Sequence, residues 1–300
     1  MAKGCNLCFA GTKAVIFITG LCDDNCYYCP VNRNKLGHDV FYVNETPVTS
    51  IEEAILEIMR SGATSASITG GDPLTRFNRT IEMIRSLKET FGQKFHIHLY
   101  TSGRYATREV LQSLDRSGLD EIRFHPTIES LVKRVGVAKR YTSMDVGIEI
   151  PIAPTLIDWA KRIILEADRH RVDFVNLNEM EFVEPNARLL LQRGLRESKR
   201  RPFTVEGAFE AAIEIIKWAE DNVKAPVHFC PATFKDAIQT RNRLINTARV
   251  DRRWNETVTR SGTVIFLRKI KDREGLCEQV EAYPTPTRKP IVSITTVECD

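Results

Sequence analysis

The chain has 300 residues, 42% of them apolar and 27% charged, with a formal net charge of +4. This is the composition of an ordinary soluble globular protein, long enough for one large domain or a domain with an appendage. No apolar run approaches the ~20 residues of a membrane helix, and the start Met1-Ala2-Lys3-Gly4-Cys5 lacks a signal-peptide core. The expected address is the cytoplasm, with no membrane partner. Eight cysteines in a reducing compartment point to metal binding or catalysis rather than disulfides.

In chain order, the first two-thirds read as repeated βα units. Residues 14–19 form a continuous apolar run, the pattern of a parallel strand covered on both faces, and a cysteine loop follows Gly20. Residues 51–60 have helical spacing, with Ser50 as N-cap. A short strand at 65–69 leads to a helix near 76–91, and a strand at 95–101 to a helix near 107–117 that Gly118 stops. Strands at 121–125, 145–150 and 174–178 and helices near 156–170 and 205–222 continue the alternation. A last strand at 227–230 precedes a helix near 233–248.

Six or seven such units predict an α/β fold with a parallel sheet, rolled into a complete or partial barrel over residues 13–250. Residues 1–12 are a cysteine-bearing extension. Residues 257–259 and 263–268 read as a hairpin turning at Ser261-Gly262, and Pro284, Pro286 and Pro290 precede a β-like stretch at 291–297. Residues 251–300 are therefore expected to form a small β-containing appendage or a lid on the barrel's open side.

The run Thr19-Gly20-Leu21-Cys22-Asp23-Asp24-Asn25-Cys26-Tyr27-Tyr28-Cys29-Pro30 carries the most chemistry. Full ligation of a [4Fe–4S] cluster takes four cysteines, so Cys22, Cys26 and Cys29 would leave one iron open. A structural zinc is the plain alternative, but it wants a fourth ligand nearby, and His38 is the sole local histidine.

The C-x3-C-x2-C spacing, with an aromatic residue before the last cysteine, resembles the radical S-adenosylmethionine (radical SAM) superfamily. The resemblance covers roughly residues 13–178 and implies a partial (β/α)6 TIM-like barrel. It also implies that the open iron binds S-adenosylmethionine, which an electron from the cluster cleaves to a 5′-deoxyadenosyl radical. Within the superfamily the chain resembles archaeal proteins related to the pyruvate formate-lyase activating enzyme, through Thr-Gly-Leu-Cys, Tyr-Cys-Pro and the stretch Asp39-Val40-Phe41-Tyr42-Val43-Asn44-Glu45. That group gives the radical chemistry without a substrate. An electron donor such as a ferredoxin or flavodoxin is implied.

Parallel barrels carry their sites on the loops after the strands, where the cysteine loop lies. The second strand ends in Gly70-Gly71-Asp72, two glycines that let backbone approach a ligand. This resembles the superfamily's Gly-Gly-Glu motif at the methionine amino group, with Asp72 where Glu is commoner. Tyr28 matches the aromatic position near the adenine, and Thr101-Ser102-Gly103 resembles the Thr-Asn-Gly turn of the activating enzymes. His125, Glu149 and Asn178 end later strands and are candidates for ribose, carboxylate or substrate contacts. No catalytic residue beyond the cluster is assigned. His96 and His98 share a strand face and read as satisfied core or helix-interface histidines.

Cys5 and Cys8 form a C-x2-C pair that, with Cys230 and even Cys277, is a candidate second iron–sulfur cluster or zinc site; buried thiols acting as small hydrophobes are the alternative. The strand that follows the pair spans about 26 Å, which places it at the barrel end away from the first cluster. The charge is uneven: residues 188–201 hold six basic residues and one acid, and residues 235–273 hold eleven and four. With Trp254 and Phe266 among them, these segments suit tRNA, so RNA modification is slightly favoured over activation of a glycyl-radical protein. The competing reading is a non-catalytic iron–sulfur electron carrier or redox sensor.

Overall fold

The computed structural model of the protein describes residues 1–254, 256–260, 262–271, 276–284 and 292–296, with backbone alone for residue 236 and those beyond 265. Helix α1 (Lys3–Phe9) precedes strand β1 (Lys13–Phe17) and the cysteine loop, and a small hairpin, β2 (Tyr42–Val43) and β3 (Thr46–Pro47), follows. Then come α2 (Ile51–Ser61), β4 (Ser65–Thr69), α3 (Phe77–Phe91), β5 (His96–Thr101), α4 (Arg108–Arg116) and β6 (Glu121–Phe124). They are followed by α5 (Lys133–Tyr141), β7 (Asp145–Ile152), α6 (Ile157–Arg169), β8 (Phe174–Glu179), α7 (Glu184–Leu191) and α8 (Ala208–Asn222). After β9 (Val227–Cys230), a turn of helix α9 (Ala232–Phe234) passes through a π-helical stretch, Lys235–Thr240, into α10 (Arg241–Asp251).

Local chemistry sets many of these boundaries. Ser50 caps α2 by accepting a hydrogen bond from the Glu53 amide, and Gly62 ends that helix in the left-handed region. Thr107 caps α4 in the same way through the Val110 amide.

One sheet runs β3-β2-β1-β4-β5-β6-β7-β8-β9, and β1 with β4 through β9 make seven parallel strands in chain order. Each crossover returns to the next strand with the same hand, so the helices gather on one face and the sheet curls around the other. Strands β1 and β9 are not hydrogen-bonded to each other, which leaves the barrel open. Helix α10 bridges the opening: Asn242 donates to the Phe9 carbonyl, Asn246 to those of Ala10 and Gly11, and Arg243 pairs with Glu45.

The hydrophobic core lies between sheet and helices. Ile16, Ile68, Ile97, Leu99, Ile122 and Ile148 are fully buried there against Ile58, Ile84, Leu111 and Ile164. The strands therefore alternate with period two, apolar residues outward and polar residues inward. Arg123, Glu149 and Asn176 face the interior, where they line a cavity rather than a packed core. A separate four-stranded antiparallel sheet, β10 (Glu256–Val258), β11 (Thr263–Lys271), β12 (Leu276–Pro284) and β13 (Val292–Thr296), forms the C-terminal region. Cys277, Phe266 and Cys299 lie outside the residues whose side chains are described.

Three helices were absent from the sequence reading. α5 and α7 are short, and α1 occupies the segment expected to be a plain extension. The Gly4 amide of α1 donates to Glu121 Oε2 at 3.1 Å, and a Cβ on Gly4 would sit 2.6 Å from His98 Nδ1 and 2.8 Å from Arg123 Nη2. Helix α1 thus plugs the barrel against β5 and β6, near where β6 begins.

Candidate active site

The inward-facing residues and the loops after the strands enclose a cavity of about 610 Å³, lined by every candidate site residue whose side chain is described. At its mouth the cysteine loop is held by its neighbours' backbone. Gly71 and Asp72 donate their amides to the carbonyls of Thr19 and Leu21, each at 2.8 Å. A Cβ on Gly71 would lie 2.2 Å from the Leu21 oxygen, and one on Gly70, whose φ is +148°, 2.2 Å from the Thr19 oxygen. The paired glycines therefore admit the cysteine loop's own backbone.

The Asp72 carboxylate is buried and accepts from four donors: the Thr101 hydroxyl, 3.0 Å from both carboxylate oxygens, the Ser102 amide and hydroxyl at 3.0 and 2.9 Å, and the Leu74 amide at 3.0 Å. Asp72, Thr101 and Ser102 are thereby tied into one another, clamping two strand ends beneath the cysteine loop. Asp24, which sequence reasoning passed over, fixes the loop from above. It accepts from Arg104 at 2.6 Å and Thr127 at 2.8 Å, and these donors outweigh burial to hold its carboxyl below the usual range.

Tyr28 and His125 meet across the mouth, with the phenol oxygen 3.0 Å from Nε2. His125 Nδ1 lies 2.9 Å from the Glu149 carbonyl, which can only accept, so Nδ1 carries the proton and Nε2 accepts from Tyr28. Burial lowers the His125 pKa and keeps the ring neutral. Deeper in, Arg123 is a buried hub that sequence reasoning also missed. Its Nη1 donates to Glu149 at 2.7 Å and to the Tyr100 hydroxyl at 3.2 Å, and its Nε donates to Glu121 at 2.6 Å. Burial would raise the Glu149 carboxyl, but Arg123 and the Asn178 amide at 2.7 Å prevail and keep it low.

A charged residue at an inward position of an otherwise apolar strand was the signal available for Arg123. The same alternation revises the reading of His96 and His98. Both are buried on the inward face, no ring nitrogen of either has a hydrogen-bond partner among the described residues, and burial lowers their pKa, His96 to about 4. They are neutral imidazoles beside α1, His96 with its Nε2 3.5 Å from Glu121 Oε2.

The segment between β8 and α8 covers the cysteine loop. Asn186 donates to the Tyr28 carbonyl at 3.0 Å, Arg193 stacks 4.2 Å from the Tyr27 ring, and both tyrosines pack against a small apolar cluster around Leu190. Burial pushes the Cys22 thiol up to about 11 and Cys26 to about 12, and raises Cys29 as well. Three half-buried thiols on one loop become thiolates only if a strongly positive centre replaces their protons. The donor set fits an iron–sulfur cluster.

The family model of the radical SAM superfamily matches residues 16–177. This chain belongs to the radical SAM superfamily. A Methanocaldococcus jannaschii protein named as a candidate glycyl-radical enzyme activating enzyme is 37% identical over 285 residues, 91% of this chain and 75% of that one. Among solved structures, Streptococcus suis SuiB bound to the precursor peptide SuiA superposes on 74% of this chain and 50% of its own, with TM-score 0.51 and 14% identity. The same enzyme bound to S-adenosylmethionine gives 0.50 over 73% and 50%, at 11% identity. The chain spans half the length of these solved structures, which share its fold. As a radical SAM protein it is an iron–sulfur enzyme that uses a [4Fe–4S] cluster and S-adenosylmethionine, which sets aside the bare electron-carrier reading.

Proposed function

We propose that this radical SAM enzyme activates a protein substrate, abstracting a hydrogen from a glycine presented in a loop. The observation that carries this reading is the match, over nine-tenths of the chain, to a relative named for activating glycyl-radical enzymes. The cavity supports it: about 610 Å³ lies in the usual range for small-molecule sites, so a macromolecule would enter only as a slender segment. Glycine, without a side chain, suits such a segment. The RNA reading loses some support because four residues of the two basic segments are engaged within the protein. Arg201 pairs with Glu179, Lys235 with Glu181 and Arg243 with Glu45, while Arg241 donates to the Arg260 carbonyl.

Cys22, Cys26 and Cys29 would hold the cluster, which when bound supplies the electron that cleaves S-adenosylmethionine. The protein's own residues position and shield. Asp72 and Asp24 fix the cysteine loop from two sides, and the Gly70–Gly71 backbone and the neutral His125 with Tyr28 line the mouth. Arg123 with Glu149 sets a fixed charge pair below, and the segment carrying Asn186 and Arg193 keeps water from the loop. Among the described residues no helix is long and apolar enough to cross a membrane. We place the enzyme in the cytoplasm, with a ferredoxin or flavodoxin as donor.

The test is anaerobic incubation of the reconstituted protein with dithionite, S-adenosylmethionine and a glycyl-radical enzyme from the same cell. An electron paramagnetic resonance doublet on that partner, with matching 5′-deoxyadenosine, is the expected result. Deoxyadenosine without a protein radical, together with salt-sensitive tRNA binding, would replace this reading with RNA modification.

A further inference from the structure

We propose that Cys5, Cys8 and Cys230 hold a second iron–sulfur cluster, lining the same cavity as the mouth cysteines. This inference stands apart from the choice of substrate. Cys5 and Cys8 are three residues apart on α1, so their sulfurs share one helix face, and both line the cavity. Cys230 ends β9 and lines the same cavity from a strand more than two hundred residues later.

The fold holds the two pieces together. Phe9, at the end of α1, stacks on Phe234 with ring centroids 5.4 Å apart, just past Cys230. Asn242 and Asn246 of α10 fasten the carbonyls that follow α1. The Gly4 amide on Glu121 anchors the other end of the helix.

Polar donors already point at these sulfurs. Arg123 Nη2 donates to Cys5 Sγ at 3.4 Å, and Gln239 Nε2 to Cys230 Sγ at 3.8 Å. Hydrogen bonds to ligand sulfurs are one way proteins set a cluster's potential, and cationic neighbours favour thiolate. Gln239 belongs to the π-helical stretch, a rare geometry that recurs at functional sites.

Ligand number favours a cluster over zinc: a structural zinc takes four protein ligands, whereas three cysteines are the set that the mouth loop also offers to a cubane. Three thiolates would leave one iron of a cubane without a cysteine, free to take a ligand from outside the three.

Iron and sulfide content after anaerobic reconstitution tests this. Wild-type protein is expected to hold about eight irons and eight sulfides, two [4Fe–4S] clusters' worth. The Cys22→Ala/Cys26→Ala/Cys29→Ala variant, whose proposed second site is intact, should keep about half of each, with a Mössbauer spectrum of its own. The Cys5→Ser/Cys8→Ser variant should lose the complementary half. About four irons in the wild type, or none in the mouth variant when its circular dichroism matches wild type, would overturn the proposal. So would zinc without sulfide bound through Cys5 and Cys8.

Discussion

The two cysteine sites of the cavity are built in opposite ways. At the mouth, three cysteines fall within eight residues of one loop, and the surrounding backbone is moulded to that loop through Gly70, Gly71 and Asp72. At the proposed second site, two cysteines come from a short helix at the start of the chain and the third from β9, and Arg123, paired with Glu121 and Glu149, donates to Cys5. A site on one loop needs only a mould. A site assembled from distant segments needs the whole barrel closed around it.

The largest effect expected is at the mouth. Replacing Cys22, Cys26 and Cys29 by Ala should abolish 5′-deoxyadenosine formation, a loss of about a thousandfold or more if that cluster supplies the electron. Chromatography of the quenched reaction reads this directly, and residual turnover above a tenth of wild type would mean that another centre feeds the reaction.

Next comes the hub of the interior. Arg123→Gln leaves Glu121 and Glu149 buried without their cation, a change of about 3–5 kcal/mol in stability. Urea unfolding should show it; a loss below about 1 kcal/mol would mean the two carboxylates take up protons at no cost.

Two glycine substitutions separate the two sites. Gly71→Ala drives a Cβ to 2.2 Å from the Leu21 oxygen and should displace the cysteine loop, lowering mouth iron and stability by about 1–3 kcal/mol. Gly4→Ala drives one against His98 and Arg123 and should cost a similar amount while sparing the mouth, so deoxyadenosine persists as total iron falls. If both variants lose the same iron, the two sites are one.

The smallest effect concerns Asp39, which braces the start of β2 through Arg79, Arg76 and Thr19. Arg79 first, then Arg76 and Thr19, hold its carboxyl well below the usual range. A depressed folded pKa means stability present above the unfolded value, near 3.9, and lost as pH falls through the folded one. Asp39→Asn should therefore cost about 1–2 kcal/mol at pH 7 and progressively less below pH 4, read as the difference in Tm between variant and wild type. A difference that stays constant down to pH 2 would place the effect in packing instead.

Much of this molecule is written locally. The βα alternation, the Ser50 cap, the stop near Gly118 and the cluster motif each depend on residues within a turn or two of one another, so the chain alone announces a barrel with a radical SAM loop. The polar face of the strands was also there to read, as His98, Arg123 and Glu149 set among aliphatic neighbours, but continuous apolar runs such as residues 14–19 masked it. What the one-dimensional pattern does not contain is direction. Helix α1 is only seven residues long, too short to show a helical period, and it packs on charges, Glu121 and Arg123, instead of on the aliphatic core. The meeting of Cys5 and Cys8 with Cys230 likewise depends on how a singly wound sheet closes, which brings β9 and α10 back to the chain's first residues. Sequence determined which groups can do the chemistry; tertiary structure decided which of them share a cavity, because barrel closure is a sum of many long-range contacts that no local spacing encodes.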